Sequence, residues 1–232
     1  MHGPMAYAIV FLAAGGGLTA LAAAIGGPAW LLLWPAAASW TVAAAYLGLG
    51  PGVFGKRPDG TVAWPARLLL WPYLSAAWVL WRLHRLLGAG RCCNEVVDGL
   101  WLGRRPYHDE LPAGVSLVVD LTSEFAEPRA VLAKAAYRCL PTLDASAPPQ
   151  RAFLELVREV ASWEGCVYVH CANGRGRSAT AVAAVLMARG SADNVEQAMA
   201  LLKKARPKTN LSRPQMRLLQ KLERKFGSDE RE

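Results

Sequence analysis

Apolar and polar positions divide this chain at residue 56. The first 55 residues contain no Asp, Glu, Lys or Arg, and all such side chains fall from Lys56 onward. Residues 5–25 ("MAYAIVFLAAGGGLTALAAAI") and 29–49 ("AWLLLWPAAASWTVAAAYLGL") are uncharged runs of 21 residues each. Roughly 20 apolar residues suffice for a helix to cross the hydrocarbon core of a bilayer. Gly26, Gly27 and Pro28 leave only a tight turn between them, which predicts an antiparallel transmembrane hairpin over 1–55. Gly15, Gly16 and Gly17, with the many alanines, predict close approach of the two backbones. A cleaved secretory signal needs a positive n-region and one short apolar core, and this segment has neither.

Residues 62–87 follow a different pattern. Only 14 uncharged residues separate Arg67 from Arg82, and Trp64, Trp71, Trp78 and Trp81 recur at helical spacing beside arginines. That pattern predicts a helix lying in the headgroup region, with a tilted third span or a core helix as the alternatives. Beyond residue 90 the apolar runs shorten and alternate with longer amphipathic ones. The runs 100–103, 116–121, 137–140 and 166–170 read as strands. Helices are predicted over 124–135, 150–163, 176–189, 193–205 and 212–226. Strands alternating with helices predict a sheet covered on both faces.

Composition adds direction to this division. The 53% hydrophobic content and formal net charge of +8 average over two unlike parts, and seven of the nine tryptophans precede residue 82. Lys56, Arg57, Arg67, Arg82 and Arg85 cluster just after the hairpin, so the positive-inside rule places both termini and the part of the chain that follows on the cytoplasmic side. The expected organisation is a hairpin over 1–55, a basic Trp-rich linker over 56–90 and a soluble domain over 91–232. The five cysteines show no zinc-ligand spacing and read as free thiols.

The chemistry is concentrated in "VYVHCANGRGRSATAV", residues 167–182. Cys171 follows a predicted strand, and a helix should open near Gly176. Between Cys171 and Arg177 lie Ala172, Asn173, Gly174, Arg175 and Gly176, where two glycines let successive N–H groups turn inward as an anion nest. The helix N-terminus adds partial positive charge, and Arg177 can clamp two phosphate oxygens. The same field favours the attacking thiolate of Cys171. The Ser178 hydroxyl can help that thiolate leave in a second step, and His170 can tune its surroundings. A departing alkoxide needs a proton, for which Asp144 in "LPTLDASAPP" is the better candidate. Asp120, at the end of "SLVVD", is the competitor, although a strand-end aspartate before "LTSE" also suits a turn.

"HCANGRGRS" resembles the HCxxGxxRS signature of the cysteine-based protein tyrosine phosphatase superfamily, in its compact dual-specificity branch. "NEVVDGLWLGRRP" (94–106), "VVDLTSE" (118–124), "LPTLD" (140–144) and residues 165–190 resemble lipid-directed members that dephosphorylate phosphatidylglycerophosphate, and bacterial membrane-attached relatives. The likeness spans about residues 93–226 and leaves the hairpin outside. It implies an α/β fold, with a dual-specificity phosphatase-like central sheet flanked by helices. It implies Cys171 as nucleophile, Arg177 as phosphate ligand, Ser178 as the hydroxyl after it and Asp144 as general acid. Arg175 falls at a position that is basic in several lipid phosphatases, whereas Ala172 and Asn173 stand where those relatives often carry Lys and Ala. The expected reaction is phosphomonoester hydrolysis through a cysteinyl-phosphate, with thiolate and arginine doing what a metal would, so no metal or cofactor is expected. The expected partners are a membrane and a phosphorylated lipid or, alternatively, a phosphoprotein; nothing points to nucleic acid.

Overall fold

A computed structural model of the protein describes residues 3–87, 90–107 and 109–229, with side chains through residue 226. The first apolar run forms α1 (Pro4–Ile25). The second begins as a 3₁₀ turn (Gly27–Leu32), continues as α2 (Leu33–Ala44) and ends in a wide π turn (Ala45–Leu49). Pro35 has no N–H to give the Leu31 carbonyl, so the α pattern of hydrogen bonds cannot run through the start of this element. Both elements are long and apolar enough to cross a membrane. Their pairing is antiparallel: Gly15 meets Trp40, and Tyr7 meets Tyr46 farther from the turn. A Cβ on Gly15 would stand 3.0 Å from the Trp40 ring, whereas Gly16 and Gly17 meet nothing. One of the three expected glycines therefore makes the close approach.

The segment read as one interfacial helix is two, α3 (Trp64–Leu69) and α4 (Trp71–Leu87). Pro72 cannot donate to the Leu68 carbonyl, and the Trp34 indole N–H of the hairpin takes that carbonyl at 3.1 Å. Leu70, at the break, is fully buried with Ala38, Val42 and Ala45 of the hairpin, Phe54 and Leu143. Trp64, Trp71 and Trp78 stay exposed, but Trp81 is buried against Phe125 and Ala172 of the following domain.

Five strands form the sheet: β1 (Cys93–Val97), β2 (Leu100–Arg104), β3 (Val115–Thr122), β4 (Ala136–Thr142) and β5 (Cys166–Cys171). Their order is β1-β2-β5-β3-β4, antiparallel between β1 and β2 and parallel elsewhere. The central β5 and β3 are apolar on both sides, as strands buried on both faces must be. Helices α6 (Gln150–Ala161), α7 (Arg177–Ala188), α8 (Val195–Ala205) and α9 (Arg213–Asp229) gather on one face over Leu102, Leu117, Val119, Val167 and Val169. The opposite face carries Val118 and Tyr168 and is closed more thinly by Val131, Leu111 and Tyr137.

The expected helix over 124–135 is reduced to one turn, α5 (Arg129–Leu132). Pro128 steers the residue before it away from helical angles, and Glu124 and Glu127 turn their carboxylates inward instead. β1 was not expected, because Asn94 and Glu95 interrupt its apolar pattern at an edge of the sheet.

Candidate active site

Cys171 ends β5 and Arg177 opens α7, so strand and helix fix the two ends of the loop 172–176. Gly174 takes φ +67°, and any side chain there would collide with the backbone of Gly103 and Arg104 on β2. Each carbonyl from 172 to 175 is bound from outside the loop. Ala172 O accepts the Trp81 indole N–H at 3.0 Å and the Arg105 N–H at 3.3 Å. Arg206 donates to Asn173 O at 3.3 Å and to Gly174 O at 2.8 Å, and the Asn210 N–H reaches Arg175 O at 2.9 Å. In a trans peptide the C=O and the following N–H point opposite ways. Pinning the carbonyls outward therefore turns the N–H groups of 173–176 inward, which makes an anion cradle above Cys171.

Arg177, directly after that cradle, is buried. Its two terminal nitrogens bind Glu124 at 2.7 and 2.9 Å, and Nη1 also donates to Thr142 O at 2.9 Å. Burial alone would weaken its charge; Glu124 and then Asp144 outweigh this and keep the guanidinium protonated. Burial likewise opposes ionisation of Glu124, and Arg177 overcomes it. The fork is a charge-assisted bidentate pair that holds the guanidinium in one plane. Ser178 Oγ lies 3.3 Å from Cys171 Sγ, within reach to stabilise a thiolate.

Asp144 stands across the cavity, with Oδ1 3.4 Å from Arg177 Nε and a side chain 53% exposed. Cys171, Asn173, Arg175, Asp144 and Tyr7 line a common pocket of about 340 Å³, so α1 supplies part of its wall. Arg175 is exposed at the rim. The structure thus brings together Cys171, Arg175, Arg177, Ser178 and Asp144.

His170 and Asp120 lie elsewhere, on the thinly covered face. Asp120 is fully buried, accepts the Thr122 N–H at 2.7 Å and the Tyr137 hydroxyl at 2.9 Å, and forms an ion pair with Lys56. Burial opposes its charge, but the Lys56 ammonium wins and holds the carboxyl below the usual carboxylate range. The turn role expected of Asp120 is the one its geometry serves, and it does not line the pocket. His170 Nε2 is 3.5 Å from Glu127 Oε2. Burial pushes the His170 pKa down to about 4, and burial followed by the Asp120 carboxylate pushes Glu127 up to about 9. Asp120, Glu127 and His170 bring three potential ligand atoms within 4.8 Å of one another. The cation of that cluster is Lys56, seated on Asp120.

Sequence reasoning did not find Glu124, Arg206 or Trp81 as supports of this site. Glu124 had a signal in "VVDLTSE", an acid closing a strand on the catalytic side. Arg206 is one basic residue among several in "KKARPK", and Trp81 was absorbed into a pattern of membrane-belt tryptophans.

Residues 112–225 match the family described as dual specificity phosphatase, catalytic domain. PTPMT1, solved in complex with PI(5)P, is similar with a TM-score of 0.53 and 22% identity, over 60% of this chain and 99% of that one. A variant of human DUSP28 is similar with a TM-score of 0.53 and 26% identity, over 59% of this chain and 97% of that one. The human tyrosine phosphatase-like serine/threonine/tyrosine-interacting protein gives 0.52 and 23%, over 59% and 99%. No curated protein sequence matches the chain.

Proposed function

We propose that this cysteine-dependent phosphatase, whose residues 112–225 match the dual specificity phosphatase catalytic domain, hydrolyses a phospholipid monophosphate at a membrane surface. The observation that carries this reading is Tyr7: a residue of the first apolar helix lines the pocket that holds Cys171. With 1–55 seated in a bilayer and 56–90 along its headgroups, that pocket opens at lipid level. The domain over 91–232 then faces the cytoplasm. Arg67, Arg105 and Arg129 with Trp71 and Trp78 line a separate groove of about 720 Å³ beside α4, a basic and aromatic surface suited to headgroups. PTPMT1, which shares the fold, is solved with PI(5)P.

In the proposed reaction the phosphate oxygens sit on the N–H groups of 173–176 and on Arg177. Cys171 Sγ attacks phosphorus, the ester P–O bond breaks, and Asp144 gives its proton to the leaving oxygen. Asp144, now a carboxylate, takes a proton from water as that water attacks the cysteinyl-phosphate. The S–P bond breaks, inorganic phosphate departs, and the Ser178 hydroxyl steadies the released thiolate. The cradle is built before substrate arrives, so little reorganisation accompanies the charge that develops. Arg175 at the rim adds a cation for a substrate more anionic than phosphotyrosine.

The test is a substrate panel on the full chain in mixed micelles. Phosphatidylglycerophosphate and PI(5)P should be hydrolysed with kcat/KM about tenfold or more above a phosphotyrosine peptide, a difference of roughly 1.4 kcal/mol in transition-state stabilisation. Equal or better activity on the peptide overturns the lipid reading in favour of a membrane-tethered protein phosphatase.

A further inference from the structure

Two tyrosines of the apolar hairpin hold Asp144. Tyr7, one turn into α1, donates its hydroxyl to Asp144 Oδ2 at 3.0 Å. Tyr46, in the π turn that closes the second apolar element, donates to the Asp144 carbonyl at 3.3 Å. The two rings stack with centroids 5.0 Å apart and planes 10° from parallel, so each fixes the other. The neighbouring Leu143 is buried among Ala38, Val42 and Ala45 of the same hairpin.

The loop depends on such support. Ala145 takes φ +56°, a left-handed conformation that a residue with a Cβ adopts only when its surroundings impose it. An aspartate as exposed as Asp144 would otherwise divide among rotamers. With Oδ2 bound by Tyr7, Oδ1 is left on the side of Arg177 and the phosphate cradle. Accurate aim matters here, because displacing a proton donor by about 1 Å can slow a step roughly a hundredfold.

We infer that Tyr7 and Tyr46 are positioning residues for Asp144, so that the apolar hairpin sets the geometry of the proton donor. The inference rests on the reading of Asp144 as general acid. Tyr7 supplies a hydrogen bond and transfers no proton; it stays on Oδ2 as the other oxygen serves the leaving group.

The test uses the full chain in detergent micelles and compares wild type, Tyr7→Phe, Asp144→Asn and the double variant. The substrates are octyl phosphate, a poor leaving group, and p-nitrophenyl phosphate, a good one. Tyr7→Phe keeps the ring stack and should lower kcat on octyl phosphate about tenfold, leave KM within about twofold and slow p-nitrophenyl phosphate far less. In the Asp144→Asn background it should add no further loss, since residues that act through one another are not additive. Tyr46→Phe, a second conservative variant, should give a smaller loss with the same leaving-group preference. Multiplied losses in the double variant, or equal slowing of both substrates by Tyr7→Phe, overturn the inference while leaving Asp144 as the acid. If Asp144→Asn itself shows no leaving-group preference, the acid assignment fails and the inference falls with it.

Discussion

In the hairpin, α1 and α2 satisfy most of their backbone polar groups internally and present apolar side chains, so almost any residue of similar character would serve at most positions. In the cradle the backbone is the working surface. Its carbonyls are held from outside by Trp81, Arg105, Arg206 and Asn210 so that its N–H groups face the ligand. The first region is specified by composition, the second by seven consecutive residues and by partners scattered over the chain. The two meet where the hairpin carries polar handles, at Tyr7 and Tyr46, and where its linker first becomes charged, at Lys56. A substitution in the apolar part should therefore matter in proportion to how closely it touches those handles.

The largest expected effect isolates the cradle from its nucleophile. Cys171→Ser in the full chain should reduce turnover about 10³-fold or more while the affinity for inorganic phosphate, measured by calorimetry, stays within a fewfold. Retained turnover would remove Cys171 as nucleophile, and lost binding would show that the thiol also shapes the cradle. Next comes the joint between the regions. Lys56→Met leaves Asp120 buried and unpaired, and should lower the stability of the catalytic domain by about 3–5 kcal/mol. Leu31→Ala on the exposed flank of the hairpin should change it by less than about 0.5 kcal/mol. Comparable losses in melting experiments for the two variants would break the contrast.

The smallest effect is a slope against pH. Glu127 keeps its proton in the fold up to about pH 9, whereas its ordinary value is 4.5. A raised folded pKa contributes stability that is full below pH 4.5 and is lost as pH rises through 9. Glu127→Gln replaces a protonated carboxyl by an amide of similar shape and removes that slope. The melting temperature of wild type should fall more steeply between pH 6 and pH 9 than that of the variant; parallel curves would show that Glu127 is ionised in the fold.

Four of the five strands were legible because β2, β3, β4 and β5 each carry a short, mostly apolar run broken by no more than isolated polar residues such as Asp120 and Arg138, and helices α6 to α9 because their apolar positions recur every three to four residues. β1 escaped notice because an edge strand needs no such run. The helix expected over 124–135 failed because local propensity was overridden by two carboxylates needed elsewhere, on Arg177 and beside His170. Within the site, the contiguous motif announced Cys171, Arg177 and Ser178. Glu124, Trp81 and Arg206 lie 53, 96 and 29 positions from Arg177 along the chain, and only folding reveals that they converge there. The hairpin's length and lack of charge were plain, but its contact with Asp144 depends on two phenol hydroxyls that composition cannot distinguish from other interfacial tyrosines.

Lys56 has a further consequence. A catalytic domain on a loose leash sweeps a hemisphere and samples the solution above its anchor. Here only a short turn separates the hairpin from Lys56, and that lysine is locked inside the domain. With the hairpin in a bilayer, the enzyme searches in two dimensions by lateral diffusion. If the substrate is a lipid, as proposed above, its natural measure is then molecules per unit area, so spreading the same lipid over more membrane should slow the reaction even when the bulk concentration is unchanged.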